Sequence, residues 1–391
     1  MVTLSTADNA LKNVYLGVVS EQLNTSINPL LARIKQTSSD VWGKDIIKLA
    51  PYGLNGGVGA GAEDSDLPTA GGNNYAKFVL TLKNLYGKIE LSDKAIRASS
   101  SSAGAFVNLL NAEMEGLVRA SSYNFGRMLY SDGSGKLAKI VSNTTTDIVV
   151  DNVKNLMEGM VIDIVDTNGN ATGFITKRIT SINRATKTIH IAGASLTADC
   201  IKDKFITMQG SFGKEITGLG AIFSNTGSLY GINRSDYGWM IPYMKSLSAG
   251  STNISDVVIQ TAIDALEQDA DSKVDFIVCS AGVKRNYQTY LASYRSNVDV
   301  LDLAGGYKAI SYNGIPLVSD RFVDDGTMYL LNTNEFNLHQ LCDWKWLEGE
   351  DGRVIKQTPN KPTYSATLVK YADMICNKPA GQAKITNITE S

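Results

Sequence analysis

The stretch that most constrains this chain is residues 103–130, which read as one long helix. Phe106, Leu110, Met114, Leu117, Ser121, Phe125 and Met128 recur at steps of three or four, laying one mostly apolar stripe along a 3.6-residue helix. Leu109, Val118 and Leu129 widen the stripe. Ser99, Ser100, Ser101 and Ser102 offer N-caps, and Asp132-Gly133 with Gly135 supplies a stop. At 1.5 Å per residue the helix runs roughly 40 Å. A stripe that long must be buried on an equally long platform, which the β-rich sequence downstream can supply. Glu113, Glu115, Arg119 and Arg127 are expected to face water or neighbouring chains.

The chain has 391 residues, 43% of them hydrophobic, enough for a sizeable core and two or three domains. Lys plus Arg is 37 against 39 for Asp plus Glu, a net charge of −2. That argues against a surface that grips nucleic acid all over, since phosphate binding draws on an excess of Lys and Arg; it leaves room for light contact with DNA on one face. No apolar run reaches the ~20 residues a bilayer requires, and the start of the chain lacks the basic and apolar regions of a signal peptide. Cys200, Cys279, Cys342 and Cys376 are far apart with no CxxC pair, which points to reduced, mostly buried thiols. With His190 and His339 the only histidines, a His-based metal site or catalytic triad is hard to assemble. No cofactor is implied.

Residues 1–50 read as an arm. Val14, Leu16, Val18, Val19 and Leu23 fit a short helix, Asn28-Pro29 breaks it, and Leu30, Leu31 and Ile34 start another piece. Such pieces form no core alone and need something to lie against. Residues 53–74 are Gly-rich and irregular, flanked by strand-like 44–50 and 75–91, where Phe78, Leu80, Leu82, Leu85, Ile89 and Leu91 mark the apolar positions. This reads as the tip of a long hairpin. Gly57, Gly59 and Gly61 give only GxGxG, with no GK[ST] and no helix opening behind it, and Glu63, Asp64 and Asp66 would repel phosphate. The spacing of a calcium loop is also absent, so the tip reads as a flexible loop.

After the long helix the period becomes two. Residues 138–210 hold several Val-, Ile- and Thr-rich strands with turns at 167–170 and 183–185, and look like a small all-β module inserted into a larger fold. Residues 218–242 are rich in Gly, Asn and Ser, with Tyr230, Tyr237 and Trp239 interspersed. Those aromatics could stack on bases, but without a Lys/Arg cluster around them packing explains them better. An α/β segment follows: Asn253 as a cap, a helix burying Ile254, Val257, Val258, Ala262, Ala265 and Leu266, a buried strand at 275–280, and a second helix at 282–294. Cys279 and Ser280 fall where a nucleophile elbow would lie, but Val278 replaces the first Gly of GxSxG and no third triad member is evident. Asn313-Gly314 signals a type I′ hairpin. The closing strands carry Trp344 and Trp346 on one face and alternate through Tyr364, Ala366 and Leu368; they are the expected platform for the long helix.

Three motifs carry a family resemblance: Ala309-Ile-Ser-Tyr-Asn-Gly-Ile-Pro-Leu-Val-Ser-Asp-Arg with Gly326-Thr-Met-Tyr-Leu-Leu-Asn, then Trp344-Lys-Trp-Leu, and earlier Tyr230-Gly-Ile-Asn-Arg-Ser. With the element order, they make the chain resemble the major capsid protein of tailed double-stranded DNA bacteriophages, the Hong Kong ninety-seven-like fold. The resemblance covers nearly the whole chain and implies an α+β fold. It implies an N-terminal arm (1–50), an extended hairpin loop (51–92), a peripheral domain with the spine helix (93–137), the inserted β module (138–210), a connection (211–252), an axial α/β domain (253–340) and closing peripheral strands (341–391). It further implies a non-enzymatic coat protein that assembles with itself into pentamers and hexamers of an icosahedral head. Its partners would be a separate scaffolding protein, a portal, a decoration protein in some heads, and packaged DNA held without sequence specificity on the inner face, with no membrane. It would be assembled in the host cytoplasm and end in the virion. An encapsulin-like compartment shares the fold; a tail-tube subunit and a hydrolase using Cys279 or Ser280 are the rivals from other classes.

The type member of the resembled family joins its subunits by an isopeptide bond from a loop Lys to a neighbour's Asn, with a Glu assisting. In this chain residues 53–74 contain no Lys; the nearest are Lys48 and Lys77, with Lys83 and Lys88 further along. Asn360 and Asn377 could accept, but no donor is expected to reach them, so the shell is expected to be held by non-covalent contacts.

Overall fold

A computed structural model describes residues 28–39, 41, 45–64, 66–94, 103–193, 196–197, 199–248, 252–293, 300–303, 307–349, 352 and 354–391, and side chains of the long helix from 113 onward. Most of the expected arm, with Val14 to Leu23, and the serines before the helix lie outside the described residues, as do the side chains of Phe106, Leu109 and Leu110. The chain divides into two compact units. One comprises Lys83–Ala221 and Cys342–Tyr371 with the chain up to Leu31; the other comprises Ala32–Leu82, Ile222–Leu341 and Ala372–Ser391.

The first unit is built on the helix Ala103–Met128. Met114, Val118, Ser121, Phe125, Met128 and Leu129 are buried, so the apolar stripe is real. Leu117 is half-buried and lies against Gly87 of strand Lys83–Ser92, where an added Cβ would come within 3.0 Å of it. Phe125 meets Trp344 edge-on at 6.4 Å, and the Lys370 ammonium lies 4.9 Å over the same ring. The closing strands therefore do pack on this helix. Lys370 is buried and donates to Asp343 at 2.6 Å; burial pulls its pKa below the usual lysine range, and Asp343 opposes that pull.

Arg127 departs from expectation. It is buried, and its guanidinium donates to both carboxylate oxygens of buried Glu215, with Nη1 to Oε2 at 2.9 Å. Helical periodicity identifies a face; it does not reveal that a carboxylate 88 residues later returns to cover it. The return is tight: Leu219 N–H donates to Leu129 C=O at 2.8 Å, and a Cβ on Gly218 would lie 2.3 Å from Met128 C=O.

Between these two passes the chain closes a six-stranded barrel. Its strand order is Phe205–Met208, Lys136–Asn143, Asp147–Val150, Thr188–Ile191, Lys177–Asn183 and Val161–Val165, which pairs back to Phe205–Met208. Ile140, Ile148, Ile162, Ile164, Ile179, Ile189 and Ile206 are fully buried inside. Closure leaves no strand edge open. The turn expected at 167–170 is present: Val165 and Ala171 bridge in antiparallel register across it, and the Asp166 carboxylate accepts from the N–H groups of Asn168 and Asn170 and from the Asn170 amide. The side chain organises the turn, and the next strand begins only at Lys177.

The second unit holds a seven-stranded mixed sheet. Its order is Tyr243–Ser246, Ala383–Thr386, Met328–Leu331, Phe276–Cys279, Ile315–Ser319, Tyr307–Tyr312 and Val300–Leu303. Phe276–Cys279 is buried throughout, as a central strand should be. Helices Asp256–Ala270 and Ala281–Ser293 cover the sheet, with Ile259, Ile263 and Leu266 in one core with Ile277, Leu317 and Ile385. Ser255, not Asn253, caps the first helix, accepting from Val258 N–H, and Val257 faces solvent, opposite the buried side. Asn313 and Gly314 take φ of 48° and 79°, the left-handed pair a type I′ turn requires.

Candidate assembly surface

Strands Ile46–Tyr52 and Asn74–Leu80 form a two-stranded ribbon in antiparallel register from Ile46↔Leu80 to Tyr52↔Asn74. The long second flank expected for it breaks at Thr81-Leu82, and the next strand, Lys83–Ser92, pairs with residues of the closing strands in the first unit. Alternation divides the ribbon into two faces. Ile46, Ala76, Phe78 and Leu80 are buried. On the other face Ile47 is 54% exposed and Leu49 68%, beside exposed Tyr75 and Val79. At the tip Leu54, Val58 and Leu67 are 91%, 89% and 90% exposed. The two arms of the tip touch through glycine: a Cβ on Gly71 would lie 2.4 Å from the Gly57 nitrogen. No helix follows Gly57, Gly59 and Gly61, and their amides form no phosphate cradle.

Aromatic rings anchor the root of the ribbon. Phe78 sits 5.3 Å from Tyr230 and stacks on Trp239 at 6.0 Å; Tyr52 stacks on Trp239 at 5.5 Å, and Tyr237 meets Tyr52 edge-on at 5.4 Å. Tyr230 takes φ of 52°, which lets its carbonyl accept from Val79 N–H at 2.9 Å. Its buried hydroxyl donates to Met374 C=O at 3.2 Å and accepts from Cys376 N–H at 2.9 Å, and burial pushes its pKa well above the usual tyrosine value. The aromatics of 218–242 thus serve packing.

Lys48 on the ribbon corrects a further expectation. Its Nζ donates to Asn377 Oδ1 at 3.3 Å, so a donor does reach that amide, within one chain. Both residues are half-buried. They line a cleft of about 1130 Å³ that also includes Tyr52, Trp239, Glu335 and the end of helix Asp256–Ala270.

The elbow at Cys279 and Ser280 is a buried helix start. Cys279 is fully buried, its thiol donates to Val318 C=O, and burial pushes its pKa up to about 12, so it is not a nucleophile at neutral pH. Ser280 donates to Glu390 rather than to a histidine, and the same carboxylate accepts from Gly326 N–H at 2.6 Å. Glu390 packs so close that a Cβ on Gly282 would overlap it. Among the described residues no group of His, Cys, Asp or Glu is placed to hold a metal ion, and no helix is long and apolar enough to cross a membrane.

No protein-family model matches the sequence, and no curated protein matches it. Solved structures do. The capsid asymmetric unit of cyanophage A-1(L) aligns over 94% of this chain and 92% of that one, with a TM-score of 0.53 at 12% identity. This chain has the Hong Kong ninety-seven-like capsid fold. The encapsulin SrpI complex of Synechococcus elongatus PCC 7942 covers 95% of both chains at 10% identity and a TM-score of 0.48. The capsid of Myoviridae phage XM1 covers 93% of this chain and 92% of that one at 10% identity and 0.46. On this capsid fold, the cleft and the aromatic root are the features the sequence did not disclose. Tyr52 and Trp239 are 187 positions apart, and no local pattern links them.

Proposed function

We propose that this chain is the major capsid protein of a tailed double-stranded DNA phage, a structural protein assembled into the pentamers and hexamers of an icosahedral head. The observation that carries the reading is the ribbon on a chain of capsid fold. Its outer face and tip expose Ile47, Leu49, Leu54, Val58 and Leu67 together, an apolar surface suited to burial on a neighbouring copy. The near-neutral charge suits an inner wall that confines DNA without gripping it. A separate scaffolding protein, a portal and a decoration protein are the partners this role calls for, and assembly takes place in the bacterial cytoplasm. The inert Cys279 and the capped Ser280 support a non-enzymatic role.

Expression with its genomic neighbours, followed by negative-stain microscopy, tests the reading. Closed shells that hold DNA are expected. Open helical tubes would point to a tube subunit, and shells filled with a protein cargo and no nucleic acid would point to an encapsulin-like compartment; either result overturns the proposal.

A further inference from the structure

The chain holds three Asn-Gly pairs, Asn55-Gly56, Asn168-Gly169 and Asn313-Gly314. Such a pair can cyclise on itself: with no Cβ on the second residue, its backbone nitrogen is free to swing onto the Asn side-chain carbon. The attack needs that nitrogen released from other bonds. Gly169 N–H donates to Asp166 C=O at 3.1 Å, and a Cβ on Gly169 would overlap the Phe212 ring. Gly314 N–H donates to Ser311 Oγ at 3.0 Å, inside the fixed left-handed turn. Both nitrogens are held. Gly56 differs: it is exposed, nothing lies within 4 Å of where its Cβ would stand, and among the described residues its N–H makes no hydrogen bond.

Asn55 itself is set for the reaction. Its Oδ1 accepts from Gly57 N–H at 3.0 Å, and its Nδ2 donates to Asn73 Oδ1 at 3.1 Å. The first bond draws electrons from Cγ and meets the charge that builds on Oδ1 when that carbon becomes tetrahedral. The second fixes the amide against the opposite arm of the tip. We propose that Asn55-Gly56 is a self-modifying site, at which Asn55 loses its amide and becomes an acidic residue while Asn168 and Asn313 persist. The Gly56 nitrogen gives its proton to solvent and bonds to Asn55 Cγ. The Cγ–Nδ2 bond breaks, and the nitrogen takes a proton from solvent and leaves as ammonia. Water then opens the cyclic imide at either carbonyl, giving aspartate or isoaspartate; nothing is oxidised or reduced. Either product adds a carboxylate to a tip that already exposes Glu63, Asp64 and Asp66. Isoaspartate also carries the main chain through the former side chain, so the bonds to Gly57 and Asn73 are lost with the amide. On the coat reading this alters the face a neighbouring copy meets; the conversion itself does not depend on that reading.

The test is peptide mass spectrometry of the full chain, aged as free subunit in warm neutral buffer with and without urea. In the native subunit Asn55 should convert at least roughly fivefold faster than Asn168 or Asn313, because a nitrogen held in a hydrogen bond must first be released. In urea the three rates should draw together. Aspartate and isoaspartate should both appear at position 55. Gly56→Ala meets no neighbour and needs no left-handed φ; it should slow the conversion by a similar factor and leave the subunit melt unchanged. Equal rates at the three pairs in the native subunit, or a rate at Asn55 below the other two, overturn the inference. So does aspartate without isoaspartate, or an unchanged rate in Gly56→Ala, since water would then be attacking the amide directly. These rates are read on the free subunit, so the coat reading stands or falls separately, by microscopy.

Discussion

The barrel and the ribbon are both made of short antiparallel strands, yet they solve opposite problems. The barrel pairs every strand on both sides and hides its isoleucines at full burial. Among the described residues the ribbon's two strands pair in a sheet only with each other, and Ile47 and Leu49 are exposed. An isolated hairpin is marginal in water; this one is held by aromatic rings at its root and is otherwise unfinished. The barrel is complete within one chain, whereas the ribbon leaves apolar side chains exposed, which on the proposed coat reading a neighbouring copy covers. On that reading, apolar residues in the two regions serve different equilibria, folding in one and assembly in the other.

The largest expected effect separates those equilibria. Ile164→Asp places an unpaired carboxylate in the sealed barrel, at a cost of several kcal/mol, and soluble subunit should be nearly lost. Leu49→Asp, on the open face, should leave the subunit melt within about 0.5 kcal/mol of the parent and abolish shells. Thermal melts of the soluble fraction and light scattering of assembly read the two. Equal loss of soluble subunit from both would break the distinction.

Cutting the regions out should sharpen it. A fragment of residues 134–213 should fold alone with a cooperative melt, because its core and strand partners are internal. A fragment of residues 45–81 should show no melt. In the whole chain, deleting 136–208 and joining the ends with several short Gly/Ser linkers should leave the remainder soluble. Insoluble product with every linker would mean that the barrel strands belong to the main core.

A smaller effect is expected at the ribbon root. Trp239→Ala removes the ring between Tyr52 and Phe78, a local loss of roughly 1–3 kcal/mol. Protease cleavage within 53–73 should accelerate while the barrel stays protected. Unchanged cleavage would show that Tyr230 and its bond to Val79 hold the ribbon unaided.

What was legible in the sequence follows the range of the interactions. The helix stripe at Met114, Phe125 and Met128 and the Asn313-Gly314 turn are set by neighbours within a few residues, and both read correctly. Local pattern also placed the buried strand Phe276–Cys279. Arg127 did not read correctly, because Glu215 decides its burial; Leu117 is half-buried, in contact with Gly87. Val257 failed for a different reason: at 100° per residue it lies on the side of the helix opposite buried Ile259, Ile263 and Leu266. For the candidate surface, the Gly-rich tip was visible as composition. The cleft was not, since its walls come from six separated parts of the chain.

The smallest effect concerns the pair that sequence reasoning held apart. Lys48 donates to Asn377 at 3.3 Å, and Glu335 lines the same cleft. The residue types for an amide bond are therefore gathered within one copy. The chemistry also needs a dry site in which the amine can lose its proton and a carboxylate can move it. Here both partners are half-buried in a cleft open enough to admit water. The contact should behave as an ordinary hydrogen bond, and Lys48→Met should cost about 1 kcal/mol or less. Boiled in SDS, assembled shells should release one band near the 42.1 kDa monomer, with the intact mass the sequence predicts. An intact mass short by one ammonia, with a Lys48–Asn377 linked peptide, would show that the cleft is dry enough in the shell to join them within a copy. A multimer ladder that survives reducing agent would show instead that Lys48, or Lys77 across the ribbon, reaches an amide on a neighbour, and the ribbon would then be completed by a bond rather than by burial.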